Sequence, residues 1–191
     1  MKRMITFLLL VLLAGCSGEE IETNMSREII KMSAVNQDHE QVDVQEEMKG
    51  DYWVTNLIFT SCTTVCPPMT GNMARLQNRL DEEGLDTRLA SFSVDPSTDD
   101  VESLKDFADD YNPNYDRWSF YTGYSFEEIK EFSIKSFQSP LQKLENSDQF
   151  AHATGFFLVT PKGEVIKNYQ GTNSEAMEDI IRDLKKVENQ G

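Results

Sequence analysis

Hydrophobic and polar positions alternate along the chain in blocks, and these blocks predict strands separated by helices. Short apolar runs with few charges are typical of buried strands. On this basis, strands are predicted over residues 53–59, 89–94, 118–121, 154–159 and 164–169. The run from Trp53 to Phe59 is apolar on both faces, which is typical of a central parallel strand. The last two strands are joined by Thr160-Pro161-Lys162-Gly163, a sequence that favours a hairpin turn.

Apolar residues at intervals of three and four positions follow most of these strands and predict amphipathic helices. The helices are predicted over residues 67–84, 101–111, 125–132 and 177–187. Pro67 and Pro68 favour the first turn of a helix, and Gly84 favours its end. Ser125 and Glu128 form a capping box at the start of the third helix.

The remaining segments complete the predicted architecture. Residues 27–33 and 41–44 are predicted to pair as strands around the turn Asn36-Gln37-Asp38-His39, and the polar residues 138–150 are predicted to form a long loop. The order is hairpin, β, α, β, α, β, α, loop, β, β, α. It predicts one α/β domain over residues 27–191, with a mixed sheet and helices on both faces.

The N-terminal residues have the composition of a targeting segment. A short basic region precedes an unbroken apolar stretch over residues 5–14, which is too short to span a bilayer. It ends in Leu13-Ala14-Gly15-Cys16, which looks like a bacterial lipobox. We therefore expect a signal peptide over residues 1–15 and a lipid on the sulfur of Cys16. The alternative is an ordinary signal peptide followed by a chance cysteine. Residues 16–26 are polar and are expected to form a flexible tether.

The net charge excludes several kinds of partner. The formal charge of the chain is −15. Nucleic acid requires a basic surface, so it is not an expected partner. Attraction to anionic lipid by charge is excluded for the same reason. The expected location is therefore the extracytoplasmic face of a bacterial membrane, with the acyl chains as the anchor. Solubility is the simplest explanation of the acidity.

Two cysteines provide the main candidate chemistry. They lie in Phe59-Thr60-Ser61-Cys62-Thr63-Thr64-Val65-Cys66-Pro67-Pro68, between a predicted strand and a predicted helix. With Cys16 lipidated, Cys62 and Cys66 have only each other as cysteine partners. In an oxidising compartment they can form a disulfide or bind a metal. A disulfide across so short a loop stabilises a fold only modestly, which argues against a purely structural role. The nearby helix N-terminus favours thiolates, which can attack disulfides or bind a soft ion.

A histidine far along the chain is the third candidate ligand. His152 lies just before the strand over residues 154–159, and two thiolates with one imidazole suit copper. In a thioredoxin-like sheet the loop before this strand faces the cysteine loop. Thioredoxins usually carry a cis-proline there, whereas residues 148–155 contain no proline. This difference favours metal binding over disulfide exchange, although a core or capping histidine is the alternative. His39 lies in a polar turn and is interpreted as a surface residue.

Four other residues near the motifs have weaker interpretations. Asp95 and Asp99 flank Pro96 after the strand over residues 89–94. Asp99 is interpreted as part of a helix start. Asp95 is expected either to orient a metal ligand and tune its charge or to have only a structural role in the turn. Met69 and Met73 lie at helical spacing and are interpreted as core residues rather than copper ligands.

Three motifs together resemble one known family. They are Phe59-Thr60-Ser61-Cys62-Thr63-Thr64-Val65-Cys66-Pro67, Ser93-Val94-Asp95-Pro96-Ser97-Thr98-Asp99, and His152 ahead of Phe157-Leu158-Val159-Thr160-Pro161-Lys162-Gly163. The chain resembles the Sco (SenC) family of copper proteins associated with cytochrome c oxidase assembly, over residues 27–187. The resemblance implies a thioredoxin-like fold and copper ligands Cys62, Cys66 and His152. It also implies delivery of copper to the CuA centre of oxidase subunit II, or maintenance of its thiols. Many relatives have a transmembrane anchor, where this chain is predicted to have a lipid.

Two functions from different classes therefore remain open. The first is a monomeric copper metallochaperone, and the second is a thiol–disulfide oxidoreductase that reduces the cysteines of the CuA site. His152 discriminates between them, because metal binding needs it and exchange needs mainly Cys62 and Cys66. A peroxidase is a weaker alternative. Peroxidases of related fold place an arginine near the reactive cysteine, and no arginine occurs between Cys62 and Arg75.

Overall fold

A six-stranded mixed sheet forms the centre of residues 21–188, which are the residues described by the computed structural model. In chain order, the strands are β1 (Arg27–Glu28), β2 (Ser33–Val35), β3 (Gln41–Asp43), β4 (Trp53–Ile58), β5 (Arg88–Ser93), β6 (Trp118–Tyr121), β7 (Gln142–Lys143), β8 (Phe150–Ala151), β9 (Gly155–Val159) and β10 (Glu164–Gln170). The helices are α1 (Val44–Glu47), α2 (Cys66–Glu83), α3 (Val101–Asp109), α4 (Phe126–Phe137) and α5 (Glu175–Glu188).

The strand order confirms the predicted α/β class and the thioredoxin-like fold. The six strands lie in the order β1-β10-β9-β4-β5-β6. Strand β4 is parallel to β5 and antiparallel to β9, and β5 is parallel to β6. The carboxyl ends of the three parallel strands therefore meet at one edge of the sheet. In open α/β sheets, functional sites are usually built at this edge.

Helices cover both faces of the sheet. Phe157 of β9 stacks on Phe137 of α4, with ring centroids 4.6 Å apart. The adjacent Phe156 points to the opposite face and lies across from Tyr169 of β10. The Tyr169 hydroxyl donates to the Asp183 carboxylate of α5 at 2.8 Å. Helix α4 and helix α5 therefore pack on opposite faces, and α2 packs beside α5.

Helix α2 begins and ends close to the predicted positions. It begins at Cys66, with prolines in its first turn, where the missing N–H groups remove no intrahelical hydrogen bond. It ends at Gly84, which has the left-handed φ of 66° that glycine adopts without strain. Met69 and Met73 are both fully buried. Their interpretation as core residues is confirmed.

The predicted N-terminal hairpin is only half right. Strand β2 pairs with β3 as expected. Strand β1, in contrast, pairs antiparallel with β10 at the edge of the main sheet. An edge strand leaves a row of unpaired backbone groups, and β1 satisfies part of that row. Val44 is also not a strand residue, because the Asp43 carboxylate accepts from two N–H groups and caps α1.

The segment before β9 is more ordered than the predicted loop. Helix α4 continues to Phe137, five residues beyond its predicted end at Phe132, since its buried face continues that far. Gln138, at a φ of 54°, ends the helix. Strands β7 and β8 then pair within the predicted loop over residues 138–150. The polarity of this segment concealed that pair, because β7 is exposed.

The predicted signal peptide and Cys16 lie outside the described residues. Among residues 21–188, no helix is both long enough and apolar enough to cross a membrane.

Candidate metal centre

Cys62 and Cys66 lie at the carboxyl end of β4, in the strand–loop–helix arrangement that the sequence predicts. Cys62 is 5% exposed and Cys66 is fully buried, and both are free thiols. The loop turns tightly, because the Cys62 amide donates to the Phe59 carbonyl at 3.2 Å. The Cys66 amide donates to Cys62 Sγ at 3.3 Å. Cys66 is the first residue of α2, so the second thiol belongs to the helix rather than to the loop.

The two thiols differ in acidity although they are four residues apart. Burial raises the pKa of Cys62, but hydrogen bonds from the Cys66 thiol and from the amides of Thr64, Val65 and Cys66 outweigh burial and lower this pKa below its ordinary value. Burial raises the pKa of Cys66, and its hydrogen bond to Cys62 and the nearby charges of Cys62 and Asp99 raise it further. Cys62 is therefore the thiol that ionises first.

His152 lies between β8 and β9, with its ring beside the cysteine loop. Its Nε2 lies 4.0 Å from Cys66 Sγ. Its Nδ1 lies 2.8 Å from the Ala153 carbonyl, which accepts a proton from Nδ1 and leaves the Nε2 lone pair directed at the thiol. Burial lowers the pKa of His152 below its ordinary value. A neutral imidazole with a free Nε2 lone pair is the form of histidine that binds metals.

The ring of His152 is fixed by aromatic packing. It meets the Phe59 ring edge-on, with centroids 5.7 Å apart. Phe59 also packs against Phe150 at 5.3 Å, and Phe150 packs against Phe126 of α4 at 5.8 Å. The Gln149 amide donates to the Ser61 carbonyl at 3.4 Å and connects this segment to the cysteine loop. These contacts shield one side of the thiols from water.

The three donors fit a soft metal ion after a small movement. No group of three or more His, Cys, Asp or Glu residues within the described part of the chain is already arranged to bind a metal. The separation of 4.0 Å between Cys66 Sγ and His152 Nε2 is nevertheless one that an ion can bridge. Bonds of about 2.3 Å to sulfur and about 2.0 Å to nitrogen sum to roughly 4.3 Å, slightly more than this separation. Cys62, which hydrogen-bonds to Cys66, would supply the third donor.

A buried carboxylate below the cysteine loop was missed by the sequence analysis. Asp99 is fully buried, and the Thr60 hydroxyl donates to it at 2.5 Å. The predicted role of Asp99 in the helix start is wrong. The cap of α3 is Asp100, whose carboxylate accepts from the Ser103 amide at 2.8 Å. Two adjacent aspartates can each cap a helix, and the sequence does not indicate which of them points inward.

Asp95 lies in the turn after β5. It is almost fully buried, and its carboxylate accepts from the Ser97 hydroxyl at 2.7 Å. Its amide donates to the Ser93 hydroxyl at 3.0 Å. The carboxylate that reaches the cysteine loop is that of Asp99 instead. His39 lies in the exposed turn, with its side chain 64% exposed and 3.4 Å from Glu102.

With the site described, comparison with known proteins decides the family. The family model described as SCO1/SenC matches residues 22–189. The chain belongs to the SCO1/SenC family. The fold, the cysteine loop and the position of His152 are thus those of a SCO1/SenC domain.

Several relatives in the family cover most of this chain. The SCO1 protein homolog of Bacillus subtilis (strain 168) is 43% identical over 178 residues, which are 93% of this chain and 92% of that protein. A SCO1/SenC family lipoprotein from Bacillus anthracis has a solved structure that matches with a TM-score of 0.81 and 42% identity, covering 86% of this chain and 98% of that one.

A second solved structure is BsSco, described as a member of the Sco family of cytochrome c oxidase assembly proteins that contains a disulfide switch. It matches with a TM-score of 0.80 and 43% identity, covering 88% of this chain and 97% of that one. More distant Sco structures, from Arabidopsis thaliana and yeast, have been solved with copper bound.

Proposed function

We propose that this SCO1/SenC domain binds copper through Cys62, Cys66 and His152 and delivers it to the CuA centre of cytochrome c oxidase subunit II. The observation that supports the proposal best is the approach of His152 Nε2 to Cys66 Sγ. A histidine needed only for packing would not direct an unprotonated nitrogen at a thiol. Copper is the cargo of this site and not a resident cofactor.

The donor set accounts for the choice of metal. Two thiolates and one imidazole suit Cu(I) in a near-trigonal arrangement, and they also accommodate Cu(II) when an oxygen ligand completes the shell. Three protein donors leave a position through which a receiving ligand can enter before the protein donors leave. The site therefore suits transfer of the ion better than permanent storage.

A second function is favoured by the unequal thiols. Cys62 has a lowered pKa and some exposure, as an attacking thiol requires, and the buried Cys66 lies next to it as a resolving thiol. In this reaction the Cys62 thiolate attacks a disulfide in the CuA site of subunit II and forms a mixed disulfide. Cys66 then attacks Cys62 Sγ, so that two electrons and two protons pass to the substrate and a Cys62–Cys66 disulfide forms.

The location follows from the N-terminal motif. We propose that the domain is anchored by a lipid on Cys16 at the extracytoplasmic face of the bacterial membrane, and that it acts there as a monomer beyond the tether over residues 16–26. The lipobox-like sequence supports the anchor. The relative from Bacillus anthracis is described as a lipoprotein.

Copper titration of the reduced and oxidised domain tests the proposal. The reduced protein should bind one copper ion per chain, and the oxidised protein should bind it far more weakly, because the disulfide removes two thiolate ligands at once. Stoichiometry and affinity are measured by competition with a chelator of known strength. Equal and tight binding by the two forms would contradict the assignment of Cys62 and Cys66 as ligands.

A further inference from the structure

The buried carboxylate of Asp99 is connected to the cysteine loop by more than one hydrogen bond. The Thr60 amide donates to both carboxylate oxygens, at 3.2 and 3.3 Å, and the Thr60 hydroxyl donates to one of them at 2.5 Å. The Ser93 hydroxyl donates to the other oxygen at 2.6 Å. Hydrogen bonds to a charged, buried acceptor are among the stronger ones in proteins, because the local dielectric constant is low.

The position of Asp99 connects the ends of three parallel strands. Thr60 follows β4, and Ser93 is the last residue of β5. The Asp99 carbonyl accepts from the Thr122 hydroxyl, just after β6, at 2.6 Å. One residue thus fixes the edge of the sheet on which the cysteine loop lies. A carboxylate needed only to begin a helix has no reason to be buried at this point, and Asp100 already caps α3.

The two ends of the cysteine loop are fixed by different parts of the fold. Cys66 is fixed by α2, of which it is the first residue. Cys62 lies two residues after Thr60, and its amide bonds back to Phe59, so its position depends on where Thr60 is held. The geometry of the two sulfurs relative to each other and to His152 is therefore set by the link between Thr60 and Asp99.

We propose that Asp99 is a positioning residue for the copper and disulfide chemistry, acting through Thr60 to set where Cys62 Sγ lies relative to Cys66 and His152. This inference deepens the proposed function and rests on it for the identity of the metal. Asp99 touches none of the three donors in the described residues. Its effect passes through the hydrogen bonds to Thr60.

Substitution of Thr60 tests the proposal without touching the buried charge. Thr60→Val removes the hydroxyl and keeps the shape, whereas Thr60→Ser keeps the hydroxyl. Thr60→Val should lower Cu(II) affinity by about tenfold or more, the effect of losing one hydrogen bond to a charged group. It should also change the thiolate-to-Cu(II) absorption bands. Thr60→Ser should restore both properties to within about twofold of the original protein.

A matched control separates positioning from general stability. Tyr169→Phe also removes a buried hydroxyl that donates to a carboxylate, that of Asp183, but at the α5 face of the sheet. It should lower the melting temperature and leave the copper spectrum and affinity unchanged. If Thr60→Val behaves in the same way, or if Thr60→Ser fails to restore the spectrum, the positioning role of Asp99 is overturned.

A measurement without metal distinguishes failure of this proposal from failure of the proposed function. The equilibrium between the Cys62–Cys66 dithiol and its disulfide is measured against reduced and oxidised glutathione, where each disulfide formed in the protein reduces one glutathione disulfide to two thiols. Thr60→Val and Asp99→Ala should each shift this equilibrium constant by about tenfold, and Tyr169→Phe should not. A protein that binds no copper but shows this shift contradicts the metal assignment alone. Unchanged constants in both variants would overturn the positioning role.

Discussion

Nε2 of His152 lies 4.0 Å from Sγ of Cys66, although 86 positions separate the two residues in the chain. The sheet explains this proximity. Strand β9 runs antiparallel to β4, so the residues that precede β9 lie beside the residues that follow β4. The fold therefore brings a nitrogen donor to the same edge of the sheet at which the cysteine loop already presents two sulfur donors.

Replacing His152 separates the two proposed functions. His152→Ala should lower Cu(II) affinity by roughly 100-fold or more, since loss of a ligand should exceed the effect of losing a residue that supports one. Cu(I) binding and dithiol cycling should persist in weakened form, because two thiolates remain. The free energy of unfolding should change by less than about 1 kcal/mol, because the ring lies at a loop end. Copper competition, thiol titration and denaturant unfolding measure these quantities.

His39→Ala is the matched control, because His39 is the other histidine of the chain and its side chain is exposed. It should leave Cu(II) affinity unchanged. Full copper binding by His152→Ala, combined with loss of oxidase assembly in cells, would remove His152 from the ligand set and favour thiol chemistry. Loss of both copper binding and assembly, with dithiol cycling intact, would favour the metallochaperone.

The unequal pKa values of the thiols predict an order of modification. Iodoacetamide should alkylate Cys62 before Cys66, with a midpoint in the pH–rate profile below the value of about 8.5 for an ordinary thiol. The sign follows from the lowered pKa of Cys62, because a thiol with a lower pKa is ionised at a lower pH. Peptide mass spectrometry after timed quenching locates the modified residue. Cys66→Ala should move the midpoint to higher pH, whereas Cys66→Ser, which retains a donor, should move it less.

Asp99 and Asp100 should affect stability with opposite signs. Burial raises the pKa of Asp99 despite hydrogen bonds from Ser93 and Thr60, and the nearby charge of Asp95 adds to this rise. The contribution of Asp99 to stability is therefore present below its unfolded pKa and lost as pH rises through its folded pKa. Asp99→Asn should melt at a higher temperature than the original protein at pH 7, and the difference should shrink as the pH falls.

Asp100 provides the comparison. Hydrogen bonds from the Ser103 hydroxyl and amide lower the pKa of Asp100. Its contribution is present above the unfolded pKa and is lost as pH falls through the folded pKa. Asp100→Asn should therefore melt slightly below the original protein at pH 7 and equal it in acid. Melting curves from pH 3 to pH 8 measure both variants, and the same sign for the two would show that Asp99 is not destabilised by burial.

The lipid anchor is tested at Cys16. Cys16→Ser should release the domain from membranes or leave an uncleaved precursor, because the apolar stretch over residues 5–14 is too short to span a bilayer. Fractionation and intact mass distinguish the two results. Unchanged processing together with unchanged membrane retention would contradict the lipoprotein interpretation.

Local patterns predicted the elements that bury a continuous apolar face. Strand β4, helix α2 and the hairpin between β9 and β10 follow from runs and periods that other parts of the chain do not compete with. The partner of β1 could not be read from the sequence, because an exposed two-residue strand carries no pattern of its own. Its place is decided by the free edge of β10, which exists only once the sheet has formed.

The same distinction applies to the site. The positions of Cys62, Cys66 and His152 at one edge of the sheet follow from the strand order, which the sequence analysis predicted. The role of Asp99 could not be predicted, because it depends on whether Asp99 or Asp100 begins α3. That choice is made by the fit of one carboxylate beneath Thr60, and hydrogen-bond geometry of this kind leaves no period in a sequence.

The hydrogen bond from the Cys66 amide to Cys62 Sγ has a consequence for the whole of α2. Val65, the residue before the helix, contributes no side-chain cap, so this sulfur is an acceptor for an N–H group at the helix start. Metal binding and disulfide formation both draw on the same sulfur lone pairs and remove its negative charge. The order of the first turn of an 18-residue helix is thus thermodynamically linked to the cargo and the oxidation state of the loop. Through this bond, a protein that contacts α2 far from the sulfurs can distinguish a loaded domain from an empty one.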